Sequence, residues 1–169
     1  SGNILFRNNT GGTFNVTGLS VSPITIQNTN SLFSTGLPNP SGVGSDAVDS
    51  IFFGKSAGSG ATSIYDSVFI GSDAGYNADG SYESVFIGDK SGYNALNTYR
   101  GVIIGNEAGA NAVGSSAVMI GHYAGHLSTS SSSSFVGERS GYLSNTNNST
   151  FIGAIAGQSS TGNNFSTYV

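Results

Sequence analysis

From residue 51 one phrase returns seven times, and it constrains the fold more than any other feature of the chain. It reads Ile51-Phe52-Phe53-Gly54-x-x-Ala57-Gly58, then Val68-Phe69-Ile70-Gly71-x-x-Ala74-Gly75, then Val85-Phe86-Ile87-Gly88-x-x-Ser91-Gly92. It continues at Val102-Ile103-Ile104-Gly105, Val118-Met119-Ile120-Gly121, Ser134-Phe135-Val136-Gly137 and Thr150-Phe151-Ile152-Gly153. The first Gly falls at 54, 71, 88, 105, 121, 137 and 153, a step of 17 three times and then 16 three times. The second Gly keeps the same steps. A regular internal period is the mark of a repeat architecture.

A unit this short cannot hold two packed helices, and Gly, Asn and Ser stand where a helix would want Ala, Leu or Glu. The phrase reads instead as a short strand ended by a turn. Each unit then fits one coil of a parallel β-solenoid, its strand pairing with the copies above and below. The expected fold is therefore all-β, a parallel solenoid (β-roll or β-helix) of 16–17-residue repeats. With roughly 4.8 Å between paired strands, seven coils span on the order of 34 Å. The first Gly is expected to bend the chain, and the Ala-Gly pair to mark a second corner too tight for a larger side chain.

The strand carries two apolar columns. One is Phe52, Phe69, Phe86, Ile103, Met119, Phe135 and Phe151; the next is Phe53, Ile70, Ile87, Ile104, Ile120, Val136 and Ile152. Neighbouring strand residues face opposite sides. One column can fill the coil, while the other leaves a long apolar stripe in water, which marks an interface. A parallel homotrimer burying that stripe on its axis is the economical solution; a dimer, or a second layer within the chain, would also cover it. Half of the charged residues fall just after the first Gly, and stacked in register one of these columns reads Asp73, Lys90, Glu107, Tyr123, Arg139. Its signs alternate, as a cross-coil charge ladder would.

Residues 1–49 differ. Gly12 to Thr17 and Pro23 to Gln27 alternate like strands, and Ile4-Leu5-Phe6 followed by Gly11 loosely echoes the repeat. A divergent coil, a cap or a β-rich join to a preceding stalk would fit, with Leu37 to Gly44 a linker into the repeats. Residues 50–169 form the solenoid: seven units, then the start of an eighth, since Thr167-Tyr168-Val169 matches Thr150-Phe151-Ile152. The chain is thus expected to be part of a longer protein.

Composition removes several function classes. Five Lys/Arg against nine Asp/Glu leave a net charge of −4, which argues against a nucleic-acid partner held through phosphates. There is no Cys, hence no thiol catalysis, thiolate metal site or disulfide. No run is long and apolar enough to insert into a membrane, and no export signal is visible. Gly54-Lys55-Ser56 resembles the tail of a phosphate loop, but Asp49 stands where that motif needs Gly. His122 and His126 straddle a corner with no third ligand in sequence, so they read as surface residues. The acids recur at repeat-wide positions and mark no catalytic centre. No enzyme activity, metal or cofactor is expected. Ser128 to Ser134 reads as a polar loop.

The tyrosines carry more. Tyr65, Tyr82 and Tyr99 are spaced by one period, as are Tyr76 and Tyr93, whose column also takes in His126 and Tyr142. The first reading is an aromatic ladder covering the corners of the rod. The second is a glycan-binding surface, with Tyr76, Tyr93 and Tyr142 stacking on sugar rings while Asn77 and Asn94 bond hydroxyls.

Val-Phe-Ile-Gly-x-x-Ala-Gly-Tyr-Asn-Ala units resemble the Gly-rich repeats of phage tail fibres and of trimeric autotransporter adhesin heads. The resemblance covers Ile51 to Val169, about 70% of the chain. Adhesin-head repeats are shorter and carry smaller residues where this chain has Phe, which favours the tail-fibre side. The resemblance implies an elongated homotrimer in the virion, structural and non-enzymatic, touching a cell-surface glycan or outer-membrane receptor. The alternative it leaves is a bacterial surface adhesin, extracellular. An ice-binding solenoid would want a flat face of regular Thr, and Thr here is scattered.

Overall fold

A computed structural model describes residues 4–7, 13–16, 24–26, 32–34, 49–162 and 164–169. Its strands are β1 (Ile4–Arg7), β2 (Thr13–Val16), β3 (Ile24–Ile26), β4 (Leu32–Ser34), β5 (Ile51–Phe53), β6 (Val68–Ile70), β7 (Val85–Ile87), β8 (Val102–Ile104), β9 (Val118–Ile120), β10 (Ser134–Val136), β11 (Thr150–Ile152) and β12 (Thr167–Tyr168). No helix occurs among the described residues. From β4 to β12 each strand pairs in parallel with the next, and across the repeats the pairing is in register, Phe69 on Phe86 and Ile70 on Ile87. The chain is a parallel β-solenoid of about seven turns. β3 joins β4 antiparallel at one edge, and β1 pairs antiparallel with β2 in a separate two-stranded sheet. The linker expected at Leu37 to Gly44 lies outside the described residues.

The repeated phrase works as one steric unit. The middle strand residue points inward and is buried in every coil, from Phe52 to Phe151. Phe69 and Phe86 stack face to face at 4.5 Å, and Phe135 lies 5.3 Å from Phe151. The second Gly makes room for these rings. A Cβ on Gly92 would lie 2.5 Å from the Phe86 ring, and its φ of +62° is one that L side chains rarely adopt. The first Gly solves a different problem: a Cβ on Gly71 would strike the Gly88 carbonyl oxygen at 2.3 Å, so coils touch backbone to backbone there.

Coils are also joined outside the strands. Gly58 N donates to Ala74 O at 2.8 Å, Asn77 N to Ser59 O at 2.8 Å and Glu83 N to Tyr65 O at 2.8 Å. Such bonds, among them Lys90 N to Ser72 O at 2.8 Å, run through three columns in left-handed conformation. The columns are represented by Lys90 (φ 53°), Asn94 (φ 51°) and Glu83 (φ 54°). Such a residue costs on the order of 1–3 kcal/mol and persists where its surroundings over-determine it.

The change of period has a single structural origin. Coils of 17 carry one more left-handed residue on the far side from the strand, Ser63 (φ 55°), Gly80 (φ 63°), Asn97 (φ 55°) or Gly162 (φ 71°). Coils of 16 pass directly from Val113 to Gly114 or from Asn145 to Thr146 at this place. The neighbouring bridge stays in register across the change, Leu96 to Val113.

Polar groups line part of the interior. Just before the strand, Ser50, Ser67, Ser84, Ser133 and Ser149 are buried. Ser84 Oγ donates to Thr98 O at 2.8 Å and accepts from Gly101 N at 3.1 Å; Ser67 does the same for Ser81 O and Ser84 N, each at 3.1 Å. The stretch Ser128 to Ser134, expected as a polar loop, belongs to this interior. Ser128, Ser130 and Ser133 are buried, and Ser130 Oγ accepts from Thr146 N at 3.0 Å. In-register coils force alternate serines into the positions that Ala112, Thr98 and Ser84 fill elsewhere.

Candidate functional site

Two surfaces are left unsatisfied by the coil. The first is the outward face of the sheet. Strand residues on either side of the buried one point outward, giving a double column from Ile51 and Phe53 to Thr150 and Ile152. Phe53 is 53% exposed, Ile70 37%, Ile120 36% and Ile152 44%. Ile87, Ile104 and Val136 are half-buried. Of the two strand columns, then, Phe52 to Phe151 is solenoid core, and Phe53 to Ile152 is open in the single chain. No second layer covers it among the described residues.

The second surface is built on the residue after the second Gly. This column runs Ser59, Tyr76, Tyr93, Ala110, His126, Tyr142, Gln158. The backbone sets its register: Asn94 N donates to Tyr76 O at 2.8 Å and Leu143 N to His126 O at 3.0 Å. Tyr76 and Tyr93 stack at 5.1 Å with planes 8° apart. His126 and Tyr142 stack at 5.3 Å with planes 4° apart. The sequence-selected residues therefore form two short stacks, Tyr76–Tyr93 and His126–Tyr142, separated by the small Ala110. Within each stack the rings spend one face on each other. Asn77 and Asn94 stand beside the first stack in left-handed conformation, and Asn94 Nδ2 donates to Asn111 Oδ1 at 3.2 Å. Tyr82 and Tyr99 stack likewise at 5.0 Å on another corner.

The alternating charge column does not form its ladder. Among the described residues no ion pair within 4.0 Å joins Asp73, Lys90, Glu107 and Arg139 to one another. The pairs found are Arg100–Glu83 at 2.9 Å, His126–Glu107 at 3.6 Å and His122–Glu138 at 3.9 Å. Glu107 thus meets the imidazole of the neighbouring column and not the cation of its own. His126 is only 13% exposed at its side chain, and Nδ1 is buried without a hydrogen-bond partner. Burial pushes the imidazole below its ordinary pKa, and the Glu107 carboxylate partly offsets this. The Tyr123 ring lies between the two histidines, 4.2 Å from His122 and 5.2 Å from His126, so they do not converge on a common ligand.

Reading the sequence column by column found the aromatic stacks. It missed Glu107 and Arg139 as their neighbours, because the partnership crosses from one column to another. The signal available was Ala110, the one small apolar residue in an otherwise polar and aromatic column.

The fold defines a class: a parallel β-solenoid of 16–17-residue coils with one apolar outward face. Comparisons of the chain with protein-family models, with curated proteins and with solved structures give no match.

Proposed function

We propose that the chain is a structural, non-enzymatic segment of a homotrimeric phage tail fibre. Three parallel copies would bury the outward sheet face on a common axis, and the solenoid would extend and stiffen the fibre. The observation that carries this reading is the outward column from Phe53 to Ile152, apolar in every coil and flanked by Ile51, Val68, Val85, Val102 and Val118 in the first five. A contiguous apolar face of this length on a soluble rod is unusual unless a partner covers it. The polar corners would stay outside, where Tyr76, Asn77, Tyr93, Asn94 and Tyr142 can touch glycans on the host surface.

Light scattering on a size-exclusion column tests the assembly. The expected mass is three chains. Ile87→Lys combined with Ile104→Lys should give a folded monomer, with the wild-type β-sheet circular dichroism retained. A wild-type chain that runs as a monomer at micromolar concentration overturns the trimer.

A further inference from the structure

Beside the His126–Tyr142 stack lies an open cavity of about 470 Å³, lined by Glu107, Tyr123, His126, Arg139, Tyr142 and Gln158. Its size is in the range of small-ligand sites, which pair aromatic walls with a few placed polar groups. Glu107, Tyr123 and Arg139 come from one left-handed column, and His126, Tyr142 and Gln158 from the column that follows the second Gly.

The polar groups are only partly used. Arg139 lies 6.0 Å over the Tyr123 ring and has no carboxylate within ion-pair distance among the described residues. Glu107 meets His126 through one oxygen at 3.6 Å, beyond a good hydrogen bond, and its side chain is 26% exposed. Gln158 is exposed at the rim. The cavity thus offers one carboxylate that accepts, one guanidinium that donates and one amide that does both. An ion of either sign would meet one like charge here, so the charges favour no ion. A neutral polyol meets no such penalty, and adjacent hydroxyls can both give and take hydrogen bonds. The aromatic walls suit the apolar C–H face of a sugar ring.

We propose that this cavity binds one uncharged pyranose ring of a surface saccharide. The proposal rests on the reading of this chain as glycan-contacting. It moves the contact from the Tyr76–Tyr93 stack to the cavity beside His126 and Tyr142, where Glu107, Arg139 and Gln158 add polar groups to the rings. A single ring held this way should bind with a dissociation constant on the order of 1 mM.

The test is NMR titration of the whole chain with methyl glycosides of glucose, galactose and N-acetylglucosamine, with glucuronate as the charged comparison. The expected result is a shift of the His126 and Tyr142 ring signals by a neutral glycoside. Glu107→Gln, which keeps side-chain shape, and Arg139→Gln, which removes the guanidinium, should each weaken that binding about tenfold. Tyr76→Leu should leave it unchanged. A neutral glycoside that shifts Tyr76 and Tyr93 instead, or that binds Arg139→Gln as well as wild type, overturns this site and leaves the glycan reading standing. Glucuronate binding tenfold more tightly than every neutral glycoside overturns the charge argument. No shift from any probe at tens of millimolar, about tenfold above the expected constant, overturns the site and the glycan reading together.

Discussion

At the scale of single residues, the coil is governed by where a methyl group fits. The second Gly of each phrase faces the side chain buried six residues earlier, a phenylalanine in five of the seven coils and Ile103 or Met119 in the other two. Gly92→Ala places a Cβ 2.5 Å from the Phe86 ring at a φ of +62°. Strain and overpacking together should cost about 3 kcal/mol, read as a lowered denaturation midpoint. The opposite sign is expected at Ser128. Its hydroxyl is buried without a hydrogen-bond partner in a column that holds Ala61, Ala78, Ala95 and Ala112 in the coils before it and Ser144 and Ser160 in those after it. Ser128→Ala should therefore stabilise by about 1 kcal/mol, raising the Tm by about 2–4 °C. A lowered Tm would mean that the hydroxyl has a partner.

At the scale of the element, five of the seven repeat strands are supported by a buried serine just before them, with Gly101 and Ala117 in its place before β8 and β9. Ser84 takes the Gly101 amide at 3.1 Å and gives its proton to the Thr98 carbonyl. Ser84→Ala leaves that amide without its acceptor and should cost about 1–3 kcal/mol, measured by urea unfolding. An unchanged midpoint would show that the strand pairing alone sets the register. This element was half legible in the sequence. The inward Phe column and the Gly pair could be read from size and period, because both are steric requirements visible in residue type. The serine ladder could not, since Ser is at home in loops as well as in a hydrogen-bonded interior. Nor could the left-handed corners, where Lys90, Glu107 and Leu127 take φ values of 53°, 51° and 56°. Nothing about those side chains announces that conformation; the bonds from the next coil impose it. The candidate site was legible only as the tyrosines of one column. Glu107 and Arg139 entered through contacts that cross between columns.

For the whole molecule, stability accumulates coil by coil. Each repeat touches its neighbours and little else, so the solenoid should behave as a nearly one-dimensional array. Amide exchange should be slowest in β7, β8 and β9, which are covered on both sides. It should be fastest in β12, where Thr167 and Tyr168 are exposed. Uniform protection would mean that all coils open as one cooperative unit.

The variable corner on the far side from the strand carries a consequence for length. A coil of 17 and a coil of 16 differ by one residue there, yet both advance the strand ladder by one rung. Distance along the axis is therefore counted in turns and not in amino acids. Insertions or deletions at that corner leave the graduation of the ruler untouched, while gain or loss of a complete turn changes it by one fixed increment.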